Sequence, residues 1–250
     1  FSQKRANIWY FGSNVGLNFN QVAPTVLTDG AMRQYEGCGT ICDEAGKLLF
    51  YTDGMNVWNK NHRQMPNGYG LGGDPSTSQS GLIVPKPKST NIYYIFTIDA
   101  NTEENGLMYS EVDLSLENGL GDITTKNQHI YTPSTEKIAA INHKNNQDIW
   151  VVTHRWNSNE FYAYLITKSG INISKPVISA VGLVHEGHFS NSRGCMTISP
   201  LGDKLALAIE GLHTYEIFDF NQSTGRITNA ITLPDSYQTA YGVEFSPDGR

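Results

Sequence analysis

The chain alternates short runs of β-branched and aromatic residues with polar stretches rich in Gly, Pro, Asn and Asp. Apolar residues seldom recur at helical spacing. Runs such as LLFYT (48–52), NIYYIFT (91–97), DIWVVTH (148–154) and KLALAI (204–209) have the length and residue types of strands. One layout repeats: apolar run, polar turn, apolar run. It is clearest in CGTICDEAGKLLFYTDG (38–54) and CMTISPLGDKLALAIEG (195–211). There Cys38, Thr40, Ile41, Lys47 and Leu48 match Cys195, Thr197, Ile198, Lys204 and Leu205 at one constant offset. Looser copies occupy 82–99 and 140–154.

The apolar residue before each turn is a useful marker. Ile41, Ile83, Ile141, Ile198 and Phe245 follow one another at steps of 42, 58, 57 and 47 residues. Similar units at such a period predict a repeat architecture. Within a unit, Asp53-Gly54 and Glu210-Gly211 signal hairpins, and NQSTG (221–225) signals a further turn. About four strands per unit follow. The expectation is an all-β fold: a β-propeller with WD40-like blades of about four antiparallel strands, as a single domain over 1–250. A sandwich would supply short strands too, but not one turn motif at this spacing. The long connections 65–81 and 183–194 are expected on one face, around a channel mouth. EFSPDGR (244–250) is expected to be the first strand and turn of a fifth unit, in a ring of about seven blades whose remainder lies beyond this sequence. The rival expectation is a five-bladed ring closed by a strand within NIWYFG (7–12).

Composition narrows the partners. With 24 Gly and 13 Tyr in 250 residues, the chain suits many turns and many half-exposed strands. The formal charge is −6, and no basic run exceeds QKR near the start, so the electrostatic footprint of a nucleic-acid binder is missing. An anionic membrane surface is a poor partner for the same reason. No apolar stretch approaches the roughly 20 residues of a spanning helix, so no membrane insertion is expected. The first residue is Phe, which predicts a processed or trimmed chain. Cys38, Cys42 and Cys195 are too few and odd in number for a disulfide framework. On one strand, Cys38 and Cys42 would stand about 13 Å apart, too far to pair. All three are expected to be buried free thiols.

Several stretches resemble a known family. They are NIWYFG, LLFYTDGMNVWNKNHRQMPNG (48–68), SQSGLIVPKP (78–87), NIYYIFT, YSEVDLSLENGLGDIT (109–124), TPSTEKIAAINHKNNQDIWVVTHRWNSNEFYAYLIT (132–167) and GVEFSPDGR. Together they look like the N-terminal propeller region of Bacteroidota secreted proteins of the gliding-motility and type IX secretion group. Members often carry immunoglobulin-like or other surface modules and a C-terminal type B sorting domain. The resemblance implies export by the type IX machinery, a secreted or cell-surface location and roles in adhesion or surface assembly. It implies no catalytic residue.

Candidate chemistry is sparse. HEGH (185–188) spaces its histidines by three in a Gly- and Asn-rich loop, unlike the four-residue spacing of a helical zinc motif, and reads as polar loop histidines. Glu111 and Asp113 share a strand face, and with Asp122 they could hold calcium; a solvated face is the plainer reading. GYGLGG (68–73) follows no strand-to-helix pattern and reads as a flexible surface loop. There is no Gly-x-Ser-x-Gly elbow. No cofactor and no metal are expected. Trp156, in HRWNSNEF, sits between two strands in a polar turn and is the aromatic best placed for exposure, with Arg155 beside it to support stacking.

The sequence thus predicts a non-enzymatic binder of a protein or surface glycan. Its partner-binding residues are expected at Glu36, Ser78, Gln79, Thr135, Glu136 and Asn191, in loops entering the inner strands, with His154, a strand-end or channel-mouth histidine, and Trp156 in its polar turn. Two alternatives stand. A propeller-type polysaccharide hydrolase or lyase would converge acidic and His side chains such as Glu136, His154 and His188. A structural spacer would show no polar pocket.

Overall fold

A computed structural model describes residues 3–235 and 239–249. It is all-β, with nineteen strands among the described residues in five antiparallel sheets. The first sheet holds β1 (Ile8–Phe11), β2 (Val15–Asn18) and β3 (Thr25–Leu27). The second holds β4 (Gly39–Cys42), β5 (Leu48–Thr52) and β6 (Val57–Asn59). The third holds β7 (Leu82–Pro85), β8 (Ile92–Ile98), β9 (Leu107–Asp113) and β10 (Asp122–Tyr131). In the fourth, β11 (Ser134–Asn142), β12 (Ile149–Arg155) and β13 (Ser158–Thr167) run in order. There β13 pairs with both the two-residue β14 (Gly170–Ile171) and β15 (Val177–His185). The fifth holds β16 (Met196–Ile198), β17 (Lys204–Ile209), β18 (Thr214–Asn221) and β19 (Arg226–Thr232).

Four of the five repeat markers open a sheet: Ile41 lies on β4, Ile83 on β7, Ile141 on β11 and Ile198 on β16. In each case the predicted turn joins the first two strands of that sheet. Side chains close these turns. Asp43 Oδ1 accepts the amides of Ala45 and Lys47, both at 2.9 Å. Ser199 Oγ accepts those of Asp203 and Lys204 at 3.3 and 3.0 Å. Short polar side chains that mimic a backbone turn are the local reason these hairpins form.

Three expectations need correction. Phe245 does not begin a strand: residues 241–246 have no regular structure, and Arg250 lies outside the described residues. The segment NIWYFG forms β1 and pairs with β2, because Phe11↔Val15 closes a tight local hairpin. The first two sheets have three strands each rather than four.

The chain divides into two compact units. One comprises residues 1–85, 90–98 and 108–129; the other comprises 86–89, 99–107 and 130–250. In the first unit, β4 and β5 feed two cores. Ile41 and Phe50 pack with Val57, Ile83, Ile95 and Val112. Cys42 and Tyr51 pack with Ile8, Tyr10 and Met32. Successive strand residues point to opposite faces, so both faces of this sheet are covered. In the second unit one core joins the fourth and fifth sheets: Val152, Phe161 and Ala163 meet Leu205, Leu207 and Phe218. Leu207 has no exposed surface. Leu207→Ala is expected to cost about 2–5 kcal/mol in a urea titration through lost burial and a residual cavity.

Candidate functional site

The first unit brings three of the expected partner-binding residues, Glu36, Ser78 and Gln79, into one loop cluster. The segment 29–37 is pinned along its length. Asn14 Nδ2 donates to Gly30 O at 2.6 Å, the Ala31 amide donates to Tyr51 Oη at 2.9 Å, and the Gln34 amide donates to Gly12 O at 2.9 Å. Buried Gln34 spans the turn, its Nε2 donating to Gly37 O at 2.8 Å and Asp53 O at 3.1 Å. Gly37 then lies directly on the second loop. Its amide donates to Thr77 O at 3.0 Å, and a Cβ there would stand 2.7 Å from that oxygen and against the Ser80 amide nitrogen. Only glycine permits this approach. Thr77 Oγ1 in turn donates to Ile98 O at 3.0 Å, tying the second loop to β8. On this scaffold Tyr35 is 91% exposed, Glu36 is exposed and Gln79 is half-buried, while Ser78 is buried.

The other expected residues lie in the second unit, and the structure buries them. Thr135 and Glu136 are on strand β11, not in a loop, and have no exposed surface. A β-bulge explains their position. Pairing jumps from Ser134↔Arg155 to Ile138↔Thr153, so Thr135, Glu136 and Lys137 oppose His154 alone. A bulge breaks the ladder and re-aims side chains. The freed Glu136 amide donates to Ser192 O at 3.0 Å, and Glu136 Oε1 accepts the Asn101 amide at 3.0 Å. Thr135 Oγ1 donates to His154 O at 2.9 Å. Lys137, which the sequence reading passed over, is fully buried; Nζ donates to Ser192 O at 2.9 Å and Arg193 O at 2.7 Å. Arg193 donates to Asn101 Oδ1 at 3.2 and 2.9 Å and stacks over Phe189. Asn191 Nδ2 donates to Glu186 O at 2.8 Å. The available signal was STEK itself, four polar residues leading into the apolar IAAI, where a solvent-facing strand would alternate.

His154 and His185 complete the cluster. Their rings stack with centroids 3.9 Å apart, and His154 meets Phe161 edge-on at 4.6 Å. Among the described residues, no ring nitrogen of either histidine has a hydrogen-bond partner. Burial disfavours the imidazolium, and the neighbouring Lys137 adds to that effect, pushing His154 down to about 3. Burial, then His154 and Lys137, also hold His185 well below the usual imidazole range. Burial lowers Lys137 to about 7, with Glu136, Cys195 and Glu210 pulling the other way.

Two readings of single residues are corrected here. His185 is a buried strand residue, whereas His188 is exposed and caps a short 3-10 turn, Nδ1 accepting the Ser190 amide at 3.3 Å. Trp156 is only 7% exposed, because the β12–β13 turn folds back and its amide donates to Pro133 O. Glu111 Oε1 accepts Thr124 Oγ1 at 3.0 Å and Asp113 Oδ1 caps Ser115 at 2.8 Å, so both carboxylates hold local structure. No group of three or more His, Cys, Asp or Glu that could hold a metal occurs among the described residues. None of the three cysteines forms a disulfide among the described residues; Cys42 is buried, and Cys38 and Cys195 are half-buried. No described helix is long and apolar enough to cross a membrane.

No family model and no curated protein matches the sequence. Among solved structures the fold is similar to β-propeller proteins at low identity. A chain of a nidogen/laminin complex is 12% identical with a TM-score of 0.48, the match covering 91% of this chain and 74% of that one. A putative 6-phosphogluconolactonase from Bacteroides fragilis is 12% identical with a TM-score of 0.47, covering 91% and 66%. The periplasmic gluconolactonase of Pseudomonas aeruginosa is 10% identical with a TM-score of 0.41, covering 82% and 52%. Similarity at this level carries no functional argument.

The histidine pair makes acid stability a direct test of the buried cluster. The folded pKa values lie below the unfolded value of 6.5. Below that pH the unfolded chain takes up protons that the folded chain refuses, so stability is lost as pH falls from 6.5 towards 3. Urea midpoints measured at descending pH are expected to drop across this window. His154→Phe, which keeps a ring beside Phe161, is expected to flatten part of the slope.

Proposed function

We propose that this chain is a non-enzymatic binding module, its sheets forming blades of a WD40-like β-propeller, secreted to or displayed on the cell surface. Consecutive antiparallel sheets, the last four opened by the same strand–turn–strand unit, support the propeller reading. Sequence resemblance alone supports type IX export and the link to gliding and adhesion. The observation that carries the choice of binding over catalysis is burial. Of the groups expected of a hydrolase or lyase, Glu136 and His154 have at most 1% of their surface exposed, as do Lys137 and His185 beside them, while exposed His188 caps a 3-10 turn. A catalytic acid or base must come within hydrogen-bond reach of its substrate.

What the first unit offers to solvent is of another kind. Tyr35 projects from a backbone held on both sides, beside Glu36. An exposed aromatic on a pre-ordered loop loses little conformational entropy on binding, and Tyr is enriched among residues that dominate interfaces. The partner is a protein or glycan of the cell surface.

Labelled protein applied to a glycan array and to an immobilised Bacteroidota outer-membrane fraction tests this. Saturable binding to one of them is expected. It should fall at least tenfold in Tyr35→Ala/Glu36→Ala with thermal unfolding unchanged. Gly37→Ala should weaken binding as well, although it removes no contacting group, because its methyl pushes the two loops apart. No binding to either surface, or turnover of a polysaccharide, would sink the reading.

A further inference from the structure

A cleft of about 440 Å³ lies at the β12–β13 turn of the second unit, lined by Pro133 and by residues 155–160. Its volume is within the range of small-ligand sites. Its polar groups are of both kinds and several are unused. Trp156 lines the cleft although only 7% exposed, and its indole N–H makes no hydrogen bond among the described residues. The exposed Asn157 side chain likewise makes no hydrogen bond within the described residues. Asn159 spends only its Nδ2, on Gly182 O at a long 3.4 Å, leaving its carbonyl oxygen.

The charged groups are fixed and already matched to one another. Arg155 Nη1 donates to Tyr162 Oη at 2.9 Å, Tyr162 donates to Glu160 Oε2 at 3.2 Å, and Arg155 stands 3.8 Å from Glu160. That chain leaves the second guanidinium nitrogen as a donor and Glu160 Oε1 as an acceptor. The carboxylate beside the guanidinium disfavours an anionic ligand. A set of fixed donors and acceptors with near-zero net charge, walled by Pro133 and Trp156, is complementary to a neutral ligand carrying several hydroxyls.

We propose that this cleft is a subsite for a neutral hexose or N-acetylhexosamine, the recognition unit of a surface glycan. The inference deepens the binding reading and rests on it for the glycan that carries the sugar. Trp156 contributes its N–H from the wall; its ring is too buried to serve as a stacking platform. Asn157, at φ +57°, holds the turn and presents its amide. Asn159 and Glu160 accept from hydroxyls, and Arg155 donates.

The test is a titration of isotope-labelled protein with glucose, galactose, mannose and N-acetylglucosamine, each separately, with galacturonate as the anionic counterpart. The Trp156 indole N–H resonance, assigned by its loss in Trp156→Phe, is expected to shift saturably with at least one neutral sugar. Galacturonate should bind less well than galactose. Asn157→Gly keeps the left-handed turn while removing the amide, Asn159→Ala removes an acceptor, and Glu160→Gln replaces one carboxylate oxygen by a donor. Each is expected to weaken binding about tenfold, the cost of a hydrogen bond to a ligand, with an otherwise native spectrum. No saturable shift with any neutral sugar, equal affinity in all three variants, or preference for galacturonate overturns the cleft assignment. If array binding depends on Tyr35 while these variants retain it, the cleft fails and the binding reading stands. If the sugars shift Trp156 saturably while neither array nor membrane fraction is bound, the cleft stands and the wider reading fails.

Discussion

The constraint on which the structure depends is that a sheet buried on both faces needs an apolar neighbour on each. The second sheet shows it residue by residue. Ile41 and Phe50 enter one core, and Cys42 and Tyr51, one position on, enter the other. Burying both faces removes the polar alternation of a half-wet strand, which is why LLFYT reads as a continuous run. It also makes each sheet dependent on its neighbours within the unit. The fourth and fifth sheets share one core, so neither covers its apolar residues alone. Non-directional burial of this sort stabilises by area, while turn side chains such as Asp43 and Ser199 set the register.

Against that apolar background the bulged start of β11 is an exception with a cost and a cause. Three residues opposite one leave backbone amides without ladder partners. The segment from Ser192 to Arg193 supplies carbonyls to both the Glu136 amide and Lys137 Nζ. A buried ammonium or imidazolium is expensive, and the cluster is held with its histidines neutral. The four imidazole nitrogens left without a partner among the described residues are what the packing of His154 on His185 and Phe161 costs. Shifted pKa values often mark active sites; here they accompany full burial, and the same shifts are consistent with an interior held together partly by polar contacts.

The proposed recognition rests on places where the backbone is fixed by hydrogen bonds. In the first unit, close approach of Gly37 to Thr77 and Ser80 converts two loops into one surface bearing Tyr35. In the second, the Arg155–Tyr162–Glu160 chain immobilises two charged groups at the edge of a cleft while leaving each with an unused atom. Both are pre-organised, so ordering is largely complete before a partner arrives.

The repeat and its turns were legible because they are local. A turn declares itself through Pro, Gly, Asp or Asn at adjacent positions, and Ile41, Ile83, Ile141 and Ile198 duly open successive sheets. All-β character was likewise legible from residue type. Burial was not legible where it departs from residue type. Glu136 and Lys137 look like surface residues, and only a bulge facing a second segment of chain encloses them. Trp156 looks exposed in a polar turn, and only the fold of that turn onto Pro133 covers it. Glu36 lies some 40 residues before Ser78 and Gln79 in sequence; that the three meet in one loop cluster was decided by a glycine small enough to let two loops touch. Local chemistry determines elements, whereas side-chain accessibility belongs to the packing of elements distant in sequence, and function follows accessibility.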